Sequence, residues 1–156
     1  MAAGGIASAR SVAAVLAAGA DAARVGTRLI ASAEAAEDGA HPLWVDALLR
    51  ARGEDAELTE AFSVMWPNAP HRVLRTAIES ASALDDDVIG QTVIAGMAMP
   101  VPRLSVAAPT PQTTGTIEAM CLYAGQSVGA VREVKPAADI VRELVEGAQA
   151  LLSARR

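Results

Sequence analysis

Aromatic side chains are scarce in this sequence: they make up 3% of its 156 residues, although hydrophobic residues in all reach 52%. A core must therefore be built from Ala, Val, Leu and Ile. That suits helix-rich α/β packing and disfavours an all-β sandwich with its aromatic and Thr-rich strands. Basic charge is scarce too. The formal net charge of -5 argues against nucleic-acid binding through a basic face, because phosphate neutralisation requires clustered Lys and Arg. Cysteine occurs once, at Cys121, so no internal disulfide can form, which fits a reducing cytoplasm. Long hydrophobic runs are missing as well. The longest uncharged stretch, Val88 to Pro102, is broken by Gln91, Gly96 and two prolines and is too short to span a bilayer. Arg10, SVAAVLAAGA and Asp21 imitate a secretory signal. An ordinary helix accounts for the same residues better.

What is present starts with glycine. Ala2 and Ala3 read as the end of a buried strand, and Gly4-Gly5 as the turn leaving it. Ser8 suits an N-cap, since its hydroxyl can accept from an orphan amide of the first turn. Val12, Val15, Leu16 and Ala20 follow at helical spacing, and Gly19 can end the helix in a left-handed conformation. Ala22 to Val25 then forms a short strand that leads into Gly26-Thr27. The order strand, Gly turn, helix, strand, Gly turn is a βαβ unit with parallel strands. Both turns lie at the carboxyl ends of neighbouring strands. There backbone amides without an obstructing Cβ can converge on one anion.

These residues carry a resemblance. The stretch AAGGIASARSVAAVLAAGADAARVGTRLIAS closely resembles the last barrel repeats of nitronate monooxygenases, formerly called 2-nitropropane dioxygenases. The tail MCLYAGQSVGAVREVKPAADIVRELVEGAQALL is similar to the C-terminus of that family, as are SVMWPNAPHRVLR and PVPRLSVAAPTPQTTGTIEAM. The resemblance implies an FMN-dependent enzyme on a (β/α)₈ TIM barrel, of which this chain matches the C-terminal half. It implies oxidation of nitronates or nitroalkanes by O2 to a carbonyl compound plus nitrite. Gly4 and Gly5 would form the first phosphate loop, and Arg24-Val25-Gly26-Thr27 the second, with backbone amides and the Thr27 hydroxyl as donors. Arg24 stands where the family often has Gln. The catalytic histidine of the family belongs to the upstream sequence, so the expectation is no catalytic residue and no metal site in this chain.

With the resemblance, four parts are expected. Residues 1–33 hold the last barrel repeats, 34–95 a helical insertion after the eighth strand, 96–115 a Pro-rich loop or lid, and 116–156 C-terminal helices. In the insertion, one helix runs from Pro42 to Arg52. Phe62, Val64 and Trp66 alternate as in a short strand, and a second helix spans His71 to Ala81. His41 and His71 read as capping or surface residues, and Asp85-Asp86-Asp87 as a solvated cap at a helix start. Pro100, Pro102, Pro109 and Pro111 forbid a regular helix or central strand. As a lid, that segment would turn Thr113 and Thr114 to substrate; as a connector, to solvent. Tyr123, Gly125 and Gln126 fall in the family-like YAGQ, placed near the barrel mouth, while Cys121 reads as buried.

The final helix follows Pro136, with Ile140, Val141, Leu144, Val145, Ala148, Leu151 and Leu152 on one face. Asp139 and Arg155-Arg156 complement its dipole. Two unpaired sheet edges imply that the chain by itself is poorly folded, dimerises as a homo-oligomer, or needs an N-terminal barrel half. Two other classes fit the same loops. One is a flavin-dependent enoyl reductase or IMP dehydrogenase-like barrel; the other is an inactive truncated fragment.

Overall fold

A computed structural model describes residues 1–154. Strand β1 (Ala2–Ala3) pairs in parallel with β2 (Ala23–Arg24), joined by helix α1 (Ala9–Ala17). The sequence dictates this unit locally. Ser8 caps α1 by accepting from the Ser11 amide, and the Ser11 hydroxyl reaches back to the Ser8 amide, so two orphan donors are satisfied. Gly19 follows the helix at φ +95°, the left-handed region that glycine enters without steric cost.

Helices α2 (Thr27–Ile30), α3 (Ala33–Asp38) and α4 (Pro42–Arg50) come next. Beyond them the chain is not the helical insertion expected for 34–95. Strand β3 (Ala56–Thr59) pairs antiparallel with β4 (His71–Leu74), before α5 (Arg75–Ser82) and β5 (Val88–Ile94). His71 therefore lies in a strand rather than at a helix start. Its neighbour Val73, fully buried, meets Glu57 across the ladder, and helix begins only after Leu74. The expected strand through Phe62, Val64 and Trp66 is absent. Met65 sits at φ +75°, which breaks the extended path. Phe62 is buried, whereas Trp66 is 64% exposed. Asp85-Asp86-Asp87 caps no helix; it precedes β5, where the carbonyls of Asp86 and Asp87 accept from the Arg103 side chain and amide.

The Pro-rich stretch begins as a strand. β6 (Met97–Pro102) forms a hairpin with β5, which also pairs with β7 (Thr114–Gly115) in the order β6-β5-β7. Because β6 is the outer strand, Pro100 and Pro102 can lack an N–H without leaving a gap in a central ladder. Thr113 is not turned to a ligand: it is buried, and its hydroxyl bonds Thr92 at 2.9 Å and accepts from the Thr110 amide. Thr114 lies exposed in β7. From Thr116 the expected run of helices reduces to two 3₁₀ turns, Ile117–Ala119 and Gln126–Ala130, and one long helix, α6 (Ala137–Ser153).

Two apolar clusters form. The larger gathers Trp44, Leu48, Phe62, Val73, Leu74, Met120 and Val128; the smaller joins Ile6, Val12 and Ala13 to Ala148 of α6. On α6 only part of the expected stripe is covered. Ile140 and Ala148 are buried, but Val141 and Val145 stand 50% and 56% exposed. Arg155-Arg156 lies outside the described residues. Gly147 has a packing reason: a Cβ there would come 2.6 Å from the Ala9 Cβ on α1. In an open helix, Gly→Ala gains roughly 1 kcal/mol. Here Gly147→Ala is expected to destabilise by about 1–3 kcal/mol through overpacking, with Ala9→Gly restoring the loss, as urea titration of both variants will show.

Candidate functional site

The two glycine turns of the βαβ unit meet. Gly4 and Gly5, leaving β1, and Arg24, Gly26 and Thr27, at the end of β2, line one cavity of about 230 Å³ with Ala3, Ile6, Gly125 and Ser127. Gly4 and Gly5 hold φ of +89° and +69°, a conformation that side chains with a Cβ adopt only under strain. Gly26 differs, with φ -114° as N-cap of α2. At all three, an added Cβ would meet no protein atom within 4 Å. Val25 of the same motif does not line it; its side chain packs beside the Ile6–Ala148 cluster.

Arg24 is exposed at the rim, and among the described residues no carboxylate forms an ion pair with it. Its side chain makes no hydrogen bond or ion pair among the described residues. The next arginine, Arg28, does not line the cavity: 6% exposed, it donates through Nη1 to the carbonyls of Ala31 and Glu133.

Sequence reasoning put neither Gly125 nor Ser127 in the anion site. The chain reaches it through the larger core. Residues 121–124 run beside β4, with the Leu74 amide donating to the Leu122 carbonyl and the Ala124 amide to the Arg72 carbonyl. Trp44 fixes the same segment by donating from Nε1 to the Tyr123 carbonyl at 3.2 Å. Gly125 then emerges against α2, where its amide donates to Thr27 Oγ1 at 2.9 Å. The YAGQ stretch was the available signal; its distance in sequence hid the contact.

The other reactive side chains lie outside this cavity, and among them His71 Nε2 is buried without a hydrogen-bond partner among the described residues. His41 Nδ1 accepts from the Leu43 amide and caps α4, and partial burial holds its pKa below the ordinary imidazole value. His71 Nδ1 lies 2.7 Å from the Ala69 carbonyl, an acceptor only, so that nitrogen donates, while its ring meets Tyr123 edge-on at 5.3 Å. Cys121 is fully buried; desolvation pushes its thiol up to about 12, which removes it as a nucleophile near neutral pH. Burial also pushes Tyr123 up, and its hydroxyl donates to the Val106 carbonyl.

The nitronate monooxygenase profile matches residues 1–147. The chain belongs to the nitronate monooxygenase family. No curated protein sequence matches it. Among solved structures, FabK from Thermotoga maritima is similar at 26% identity and a TM-score of 0.68, covering 99% of this chain and 45% of that one. A nitroalkane oxidase from Streptomyces ansochromogenes is similar at 26% identity and a TM-score of 0.59, covering 97% of this chain and 40% of that one. The chain spans less than half the length of these structures. With these neighbours it shares the α/β fold of TIM-barrel enzymes over part of their length. Among the described residues no helix is long and apolar enough to cross a membrane.

Proposed function

We propose that the glycine-lined cavity grips the phosphate of FMN, and that the chain is the C-terminal, phosphate-binding portion of a (β/α)₈ barrel oxidising nitronates or nitroalkanes with O2. The convergence of both turns on one cavity carries this reading. The residues fit the group. Backbone beside Gly4, Gly5 and Gly26 is open to phosphate oxygens, Thr27 offers a hydroxyl, and Arg24 brings positive charge. The volume, about 230 Å³, lies below the roughly 300–1,000 Å³ of pockets enclosing a whole drug-sized ligand. It suits the phosphate end of a cofactor, not all of it.

Flavin, when bound, supplies the redox chemistry, and the protein supplies position and electrostatics. Gly5, Gly26 and Thr27 anchor the phosphate, and that anchoring fixes where the rest of the cofactor can reach. Proton abstraction is assigned to a complementary barrel portion. In this chain His41 is a helix cap and His71 is packed against Tyr123. The same portion would pair the open edges of the β1–β2 sheet. A cytoplasmic location completes the proposal, since the single cysteine is a buried thiol.

The deciding assay combines the chain with FMN and a polypeptide supplying the N-terminal barrel portion, and follows nitrite release from propyl-2-nitronate. Oxygen-dependent nitrite, lost when this chain is omitted, is the expected result. NAD(P)H consumption with an enoyl thioester, and no nitrite, would move the assignment to the enoyl reductase class.

A further inference from the structure

We infer that a second cavity, between the start of α1 and the first half of α6, binds a small monocarboxylate. Its carboxylate head meets the buried guanidinium of Arg28, and its short apolar body lies against Ile140 and Leu144. The inference is independent of the flavin reading, because none of these residues lines the glycine cavity.

Arg28 is the one charged side chain that is buried among the described residues, at 6% exposure, and it forms no ion pair there. Nη1 is occupied by the carbonyls of Ala31 and Glu133, whereas Nε and Nη2 make no hydrogen bond among the described residues. Those two nitrogens are not sealed in protein either: the only fully shielded side-chain nitrogen or oxygen without a partner there is His71 Nε2. They open onto the cavity that Arg28 lines, of about 260 Å³. A guanidinium keeps its charge at any ordinary pH, and its planar fork of N–H donors matches a carboxylate. Burying that charge without a counter-ion is costly, so the open edge calls for an anion.

The start of α1 faces the same space through Ala7, Ser8 and Ala9. Ser8 caps the Ser11 amide, which leaves the first-turn amides of Ala9 and Arg10 without an acceptor among the described residues. The start of a helix favours negative charge, in the same sense as Arg28.

Charge and shape then select the ligand. Arg132, Glu133 and Glu143 also line the cavity. Both glutamates pair with Lys135, at 2.8 and 2.5 Å, and Arg132 Nη1 donates to the Ala51 and Val131 carbonyls. Lys135, with a lesser contribution from Arg28, holds the Glu133 carboxyl below the usual range. Three cations thus stand against two carboxylates, and the excess of one positive charge suits a monoanion. A phosphate dianion would meet Glu133 and Glu143 with a charge left over. The wall formed by Ile140 and Leu144 is apolar. The volume lies below the roughly 300–1,000 Å³ of drug-sized sites, which limits the ligand body to a few carbons.

The test is isothermal titration calorimetry of butyrate, its neutral isostere butyramide and inorganic phosphate on the full chain, Arg28→Met and Ala130→Trp. Butyrate is expected to bind, with butyramide and phosphate each weaker by about tenfold or more. Arg28→Met is expected to abolish butyrate binding, but it also removes bonds to two carbonyls and can cost the fold. Ala130→Trp covers that case. Ala130 lines the cavity from an exposed position, so an indole there obstructs the space and leaves Arg28 and its bonds in place. Butyrate binding is expected to be lost in this variant at an unchanged unfolding temperature. A chain that binds no butyrate overturns the inference. So does butyramide or phosphate bound as tightly as butyrate, or undiminished butyrate affinity in Ala130→Trp.

Discussion

Gly26→Leu is expected to weaken FMN binding by at least about 100-fold while leaving the unfolding of the ligand-free protein almost unchanged. The loss corresponds to one or two charge-assisted hydrogen bonds. The separation of the two effects comes from the backbone. At φ -114° a leucine is not forced into the left-handed region, and its Cβ meets no protein atom within 4 Å. The side chain occupies space that only the ligand uses. Gly4→Leu and Gly5→Leu would block the cavity too, but φ of +89° and +69° adds strain on folding of about 1–3 kcal/mol. Gly26 is accordingly the better probe. Flavin fluorescence titration beside thermal unfolding reads both quantities, and full FMN affinity in Gly26→Leu would remove Gly26 from the cradle.

Phe62→Ala is expected to cost about 3–5 kcal/mol of folding free energy, whereas Trp66→Ala should stay within about 0.5 kcal/mol of the parent. The side chains are four residues apart, and both are large and aromatic. Phe62 is fully buried in the larger core, near the His71 ring, while Trp66 is 64% exposed beyond the kink at Met65. Loss of Phe62 leaves a cavity among residues fixed by β3 and β4, with little room to collapse. Urea denaturation of the two variants, at unchanged slope, gives the comparison. Equal losses would mean that residues 62–66 do form the regular alternating strand their hydrophobicity suggests.

Much of the candidate site was legible before any coordinates. Gly4-Gly5 and Gly26-Thr27 were readable as paired turns because each is a local event: a short apolar run, a glycine, a helix start. The Ser8 cap and the stop near Gly19 depend on atoms within one turn of helix, and both are where residue type alone predicts them. Val25 shows the limit of reading by motif, since it shares the RVGT run yet points into the α1–α6 contact. Gly125 and Ser127 were out of reach. Nothing within a few residues of them indicates that Thr27, 98 positions away, will accept the Gly125 amide.

By itself the sequence determined the βαβ unit, its caps and its glycine turns, because φ preferences and capping hydrogen bonds act over three or four residues. The tertiary structure alone decided that His71–Leu74 is a strand, since that state depends on a ladder with Ala56–Thr59 and burial of Val73. It also decided that Pro100 and Pro102 sit on an outer strand, that Val141 and Val145 of α6 remain exposed, and that Gly147 lets α6 approach α1. Such outcomes turn on which distant surfaces meet, and hydrophobic patterning says that a side chain prefers burial without saying what will cover it.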